Sequence, residues 1–149
     1  MTPVSIQDIC QWIRDTAPKA QLASDSRRIK AGDVFFAYKG EGNDGRDFIK
    51  AAVEQGAAAI VFEATDFAWD SALNVPHLAV EHLKRYAGEI AHAFYGMPDA
   101  QMFTVGVTGT NGKTSCAVWP GQAMSRLGSP PALIGTLGVS MFSGRGQPE

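Results

Sequence analysis

The sequence predicts an α/β fold, and three features carry that expectation. Short apolar runs suited to buried strands alternate with segments whose apolar residues recur at helical spacing. Turn-forming residues separate them. One glycine-rich stretch, Gly109-Thr110-Asn111-Gly112-Lys113-Thr114, stands between an apolar run and a helical pattern. Strand, glycine loop, helix and strand in that order make a βαβ unit, which implies a parallel sheet. The expected architecture is a small N-terminal α/β domain followed by the first βαβ unit of a second, truncated domain.

Ser5 is placed to cap a helix through Ile13 or beyond, because Ile6, Ile9, Cys10 and Ile13 form one apolar stripe. A polar stretch follows, with Ser24-Asp25-Ser26-Arg27-Arg28, and then a turn at Ala31-Gly32-Asp33. Residues 34–38 read as a buried strand. Residues 39–46 hold three glycines, one Asn and one Asp, which marks a loop. A helix is expected over 47–55, stopped by Gly56. Residues 58–62 make a second strand, and 77–80 a third after the break at Pro76. Leu83, Tyr86, Ala87, Ile90, Ala91 and Phe94 give a continuous apolar face to a helix over 81–95. Gly96-Met97-Pro98 ends it, since proline cannot continue the ladder. The boundary is placed near 96–101, dividing the chain into a first domain over 1–97 and the start of a second over 98–149.

Beyond it, 102–108 is an apolar, β-rich run expected to be a strand. A helix should follow the glycine loop to about residue 127, with Gly128 as its stop. Pro120 and Gly121 fall inside that helix, where proline costs about 3 kcal/mol, so a kink or restart is expected there. A strand over 132–134 and a terminal loop over 143–149 complete the reading.

Composition excludes several classes. Apolar residues make up 45% of the chain and the formal net charge is −2. No basic stripe suggests a nucleic-acid partner. No stretch approaches the roughly 20 apolar residues of a membrane-spanning helix. Residues 1–12 lack the basic start and apolar run of a signal peptide. A cytoplasmic location is the default that follows. Cys10 and Cys116 form no metal-ligand spacing and are expected to be small buried residues. Trp119 and the other aromatics read as core residues, and His77, His82 and His92 as surface or core.

The glycine loop carries the chemistry. Glycines let successive backbone N–H groups surround phosphate oxygens, and the helix that begins there adds its positive end. Lys113 would reach the β- and γ-phosphates, and the Thr114 hydroxyl would bind Mg²⁺. The strict pattern asks for Gly at position 107, where this chain has Val107, so the loop is a variant. ATP and Mg²⁺ are the cofactors it implies. A phosphate loop alone names a nucleotide and not a reaction, since GTPases, kinases and ligases share it.

The ordered motifs resemble the Mur ligase family. They are Ser24-Asp25-Ser26-Arg27 with Ala31-Gly32-Asp33-Val34-Phe35-Phe36-Ala37, then Gly40 and Asp44-Gly45-Arg46-Asp47-Phe48-Ile49, then Gly56-Ala57. Val107-Thr108-Gly109-Thr110-Asn111-Gly112-Lys113-Thr114 and Ile134-Gly135-Thr136-Leu137-Gly138 follow. The resemblance runs from about residue 22 to 139 and favours the branch that adds the third residue of the peptidoglycan peptide. It implies a UDP-sugar-binding first domain and a truncated P-loop ATPase domain. It implies substrate contacts at Ser24, Ser26, Glu41, Gly42 and Asn43. It implies ATP contacts at Gly109, Thr110, Asn111, Gly112, Lys113, Thr114 and Ser115, with Lys113 catalytic and Thr114 on the metal. The implied reaction joins an amino acid to UDP-N-acetylmuramoyl-dipeptide through an acyl phosphate. The family's second metal-binding acid, carbamylated lysine and amino-acid pocket lie further on, so these residues alone are expected not to ligate.

Alternatives stay open: the dipeptide-adding branch, another phosphate-loop enzyme, or a stand-alone nucleotide-sugar module. Asp25 and Arg27 read equally as ligand contacts or as a turn held by a local ion pair. The third amino acid, diaminopimelate or lysine, and the oligomeric state are not legible.

Overall fold

The computed structural model describes residues 5–136 and 138–143. The loop expected over 143–149 lies outside them beyond Ser143, as does Leu137 of the last motif. The chain divides into two compact units, Met1–Met102 and Phe103–Glu149.

The first unit is a four-stranded, all-parallel sheet with helices on both faces. The first helix, α1 (Ile6–Thr16), begins where Ser5 accepts from the Asp8 N–H while the Asp8 carboxylate accepts from the Ser5 N–H. This reciprocal cap satisfies two orphan donors of the first turn. Strands β1 (Leu22–Ala23), β2 (Val34–Ala37), β3 (Ala59–Glu63) and β4 (His77–Val80) lie side by side in that order. A 3-10 turn, Gly45–Phe48, leads into the short helix α2 (Ile49–Glu54), and α3 (Leu83–Phe94) follows β4. The expected strands and helices of this unit are all present, with ends shifted by one or two residues.

Alternation along the strands builds two cores. Val34, Phe36, Ala59 and Val61 face α1 and α3, where Ile9, Ile13, Leu83 and Ile90 are buried. Phe35, Ala37, Ile60 and Phe62 face the other way, onto Ile49 and Ala52 of α2. A strand buried on both faces has no polar side to show, which is why these runs are uniformly apolar. Gly56 ends the α2 segment at φ +94°, a conformation that favours glycine.

The second unit departs from expectation in three ways. Residues 103–108 form no strand; Phe103 is 92% and Val105 68% exposed. A strand exists through its ladder, and no described strand pairs with this segment. Strand β5 (Ala132–Gly135) pairs antiparallel with β6 (Gly138–Met141), a hairpin that was not foreseen. Helix α4 (Lys113–Arg126) runs through Pro120 without restarting. Pro120 forfeits one ladder bond, but the next residue anchors the helix. Gly121 is buried under the Phe142 ring, so close that an added Cβ would lie 2.8 Å from it. Further along, the Ser125 hydroxyl donates to the Ser143 carbonyl. Gly128 stops the helix at φ +86°, as expected.

Candidate functional site

Two groups of residues meet the chemistry read from the sequence, one in each unit.

The first group lies at the carboxyl edge of the parallel sheet, where open α/β sheets bind ligands. Ser24 follows β1 directly, and Ser26 opens a 3-10 turn, Ser26–Arg28. Neither hydroxyl is used in a hydrogen bond among the described residues, Ser24 being exposed and Ser26 half-buried. Asp25 between them accepts from the Arg27 N–H and pairs with its guanidinium at 2.8 Å. That bond holds the Asp25 carboxyl down to about 2. The structure thus uses Asp25 and Arg27 as a local turn-forming pair that fixes the backbone beneath the two serines.

Glu41, Gly42 and Asn43 form the exposed tip of the loop after β2. Its base is closed by a bridge between Lys39 and Asp44 and by the Gly40 N–H donating to the Asn43 carbonyl at 2.8 Å. β1 and β2 are parallel neighbours, so the serines and this loop share one edge.

Beside Ser24 runs a groove of about 240 Å³. Leu22, Ala23, Ser24, Phe36 and Tyr38 line one side, and Ala87, Gly88 and Ala91 of α3 the other. Helical spacing places Ala87 and Ala91 on the apolar face and assigns Gly88 nothing. The signal available was their size: small side chains keep a wall back from the sheet. A larger hollow, about 370 Å³, lies near Gly32, Asp33 and Ala58, which precede β2 and β3. It sits at the amino end of the strands and holds none of the sequence-predicted residues, so the carboxyl-edge groove is the better candidate despite its smaller size.

Two further residues organise this edge. Arg46, with a side chain only 13% exposed, pairs with Asp44 at 2.7 Å and donates to the Thr65 carbonyl at 2.7 Å. Arg46 holds the Asp44 carboxyl below its ordinary range. Glu63, at the end of β3, accepts from the N–H groups of His82 and Leu83 at 3.0 and 2.7 Å, and from Thr65. Burial alone would raise the Glu63 carboxyl; the Thr65, Leu83 and His82 donors outweigh it and hold it low.

The second group is the glycine loop. Gly109 (φ +144°) and Gly112 (φ +76°) adopt the left-handed backbone that the loop needs. Gly112 caps α4, and its carbonyl takes the first helical bond, from the Cys116 N–H at 2.9 Å. The N–H groups of Lys113, Thr114 and Ser115 therefore have no partner within the helix. The Lys113 ammonium folds over the loop and donates to the Gly109 carbonyl at 2.6 Å. Thr110, Asn111, Thr114 and Ser115 are exposed around it. Free amides at a helix start, two left-handed glycines and an ammonium within reach fit a polyphosphate. The Thr114 hydroxyl, in the first turn, is placed to hold a magnesium ion beside one.

Other residues fall outside both groups. Cys10 is buried, but Cys116 is exposed, against expectation. Trp119 is also exposed, at 69%. Both stand on α4, whose only deeply buried positions are Gly121 and Ser125. His77 stacks on Trp69 at 3.9 Å, and His92 meets Asp99 at 2.6 Å. Among the described residues there is no cluster of three or more metal-ligating side chains, and no helix is long and apolar enough to cross a membrane.

Comparison with known proteins places the chain. A family model described as Mur ligase family, catalytic domain, matches residues 20–95, which lie within the first unit. A UDP-N-acetylmuramoyl-L-alanyl-D-glutamate–2,6-diaminopimelate ligase of Janthinobacterium is 56% identical over 98% of this chain and 29% of its own length. A ligase of the same name from Chromobacterium violaceum is 50% identical over 84% of this chain and 26% of its own length. The chain therefore spans under a third of these relatives. Among solved structures, MurF of Acinetobacter baumannii aligns with a TM-score of 0.59 at 25% identity, over 79% of this chain and 27% of its own. MurF ligase of Thermotoga maritima, in complex with ADP, aligns at 0.50 with 28% identity, over 73% of this chain and 23% of its own.

Proposed function

The chain belongs to the Mur ligase family, and we propose that it is the N-terminal part of the ATP-dependent ligase that adds diaminopimelate to UDP-N-acetylmuramoyl-L-Ala-D-Glu. One observation carries the reading: its high identity, over nearly its whole length, to relatives named for that reaction. In this reading the location is cytoplasmic, where the substrates are made.

The first unit, up to about residue 97, is the UDP-sugar module. Ser24 and Ser26 offer hydroxyls to the nucleotide, and the 41–43 tip offers backbone N–H groups, which can hold a pyrophosphate without a dense positive patch. The groove beside Ser24 extends the same edge. From about residue 98 the chain opens the ATP domain. ATP, when bound, would supply the phosphoryl group that converts the substrate carboxylate to an acyl phosphate, leaving ADP, and the amine of the amino acid would then displace inorganic phosphate to form the amide. This chain's share is positioning and charge neutralisation. Gly109, Thr110, Asn111, Gly112 and Ser115 cradle the phosphates with backbone N–H groups. Lys113, which now donates to the Gly109 and Thr110 carbonyls, would instead reach phosphate oxygens. Thr114 would hold the magnesium through its hydroxyl.

The test is a competition. Full-length chain is titrated with Mg-ATP and with UDP-N-acetylmuramoyl-dipeptide, separately and together. Two independent sites are expected, and Lys113→Ala should remove only the ATP signal. Mutual displacement by the two ligands would overturn the assignment of one nucleotide to each unit.

A further inference from the structure

The loop that carries residues 41–43 and the helix that walls the groove are tied by one polar chain. It starts at the loop's base. Asp44 closes the loop against Lys39 and caps the 3-10 turn that follows, accepting from the Arg46 N–H at 3.0 Å. Its carboxylate takes the Arg46 guanidinium on both oxygens, at 3.0 and 2.7 Å. The same guanidinium reaches the Thr65 carbonyl at 2.7 Å and lies 5.2 Å over the Phe67 ring. Thr65 in turn donates its N–H and hydroxyl to Glu63, at 3.2 and 3.0 Å. Glu63 ends on the two N–H groups that start α3, those of His82 and Leu83.

The last link matters because α3 lacks a cap of its own. His82, its N-cap residue, is left-handed at φ +57° and gives no side-chain cap bond. The start of α3 is therefore positioned by a carboxylate borrowed from the end of β3. Leu83 is fully buried, so the helix cannot slide there without moving core atoms. Ala87, Gly88 and Ala91 follow one to two turns along, about 6–12 Å down the axis. A rotation or shift at the start of α3 is a change in groove width at Ser24.

We propose that Arg46 and Glu63 are positioning residues for the sugar-nucleotide site, setting the 41–43 loop and the α3 wall as one unit. The inference rests on the reading of this edge as the UDP-sugar site and adds two residues that no motif assigned a role. Arg suits the central place: its planar fork holds a carboxylate and a carbonyl at once, which an ammonium cannot do with the same geometry. Neither residue touches the groove or the loop tip, so each acts through backbone it holds.

The experiment uses the full chain and two readouts. In titration with UDP-N-acetylmuramoyl-dipeptide, Arg46→Ala and Glu63→Gln should each lower affinity by about tenfold with far-UV circular dichroism unchanged. The double variant should be little worse than either alone, because both cut one chain. Arg46→Lys, a milder change that keeps the charge, should also lose affinity, and it serves if either harsher variant fails to fold. Unchanged affinity in the folded variants, or losses that multiply in the double variant, would overturn the proposal. The second readout needs no ligand. Amide NMR shifts of Gly42 and Asn43 should move in Glu63→Gln, and those of His82 and Leu83 in Arg46→Lys. Shifts confined to each variant's own contacts would overturn the coupling. A wild-type chain that binds no UDP ligand would instead sink the site assignment, and the amide shifts would then decide the coupling by themselves.

Discussion

Gly45 sits where the chain leaves the loop after β2, with its N–H on the Tyr38 carbonyl at 3.0 Å. A Cβ added there would lie 2.7 Å from the Tyr38 carbonyl oxygen and 3.1 Å from its nitrogen. Backbone cannot swing aside as a side-chain tip can. Gly45→Ala should cost about 1–3 kcal/mol, read as a lower urea midpoint; an unchanged midpoint would contradict the close approach. The loop motif was legible because glycine, Asn and Asp are turn residues, but its reason was not. The approach of Gly45 to Tyr38 is set by a fold that brings the chain back on itself. The same limit explains Cys116 and Trp119. Their types suggested burial, yet which face of α4 is covered is decided by Phe142, far along the chain. Ser24 and Ser26 were placed from family motifs, and their roles stand as proposals that titration must test.

At the scale of elements, β2 and β3 are legible as buried strands because each is apolar on both faces; the parallel sheet, expected of the second unit from its βαβ pattern, stands in the first. Phe35 shows what those faces are worth: it is 1% exposed in the core toward α2. Phe35→Ala should cost about 3–5 kcal/mol, measured by denaturant unfolding. The cap of α1 was equally legible, since Ser5 precedes the first apolar residue by one place. Ser5→Ala should cost about 1 kcal/mol, and no loss would show that the capping box is not holding the helix end.

The cap of α3 was not legible. It comes from Glu63, nineteen residues before His82, and no local pattern announces a borrowed carboxylate. That cap and the Asp44–Arg46 pair predict a pH response. Both carboxyls titrate lower in the fold than their ordinary values of 4.5 and 3.8. Their stabilisation is full above those values and fades as the pH falls through the lower, folded ones. Glu63→Gln should flatten that acid limb of a stability profile taken between about pH 5 and pH 2. A limb as steep as wild type would place the titration elsewhere.

For the whole molecule, two compact units are observed, Met1–Met102 and Phe103–Glu149, and their assignment as a sugar-nucleotide domain and the start of an ATP domain stands as a proposal. What the sequence could not show was the state of the second part. The apolar run over 102–108 has the residues of a strand, but pairing is a property of neighbours. Its side chains stand exposed, and the hairpin of β5 and β6 takes a geometry the expected βαβ pattern did not contain. The glycine loop takes its left-handed turns all the same, because its shape depends on Gly109, Gly112 and the start of α4, which are local. The first unit needs no such completion: its strands are paired and its two cores closed. The sugar-nucleotide site proposed for its carboxyl edge should therefore bind within this chain. Calorimetric titration of the full chain with UDP-N-acetylmuramoyl-L-Ala-D-Glu, beside Ser26→Ala, tests that directly. Saturable binding by wild type, weakened about tenfold by the substitution, is the predicted result. Tight Mg-ATP binding with no UDP-ligand binding, or binding that Ser26→Ala leaves untouched, would contradict the account.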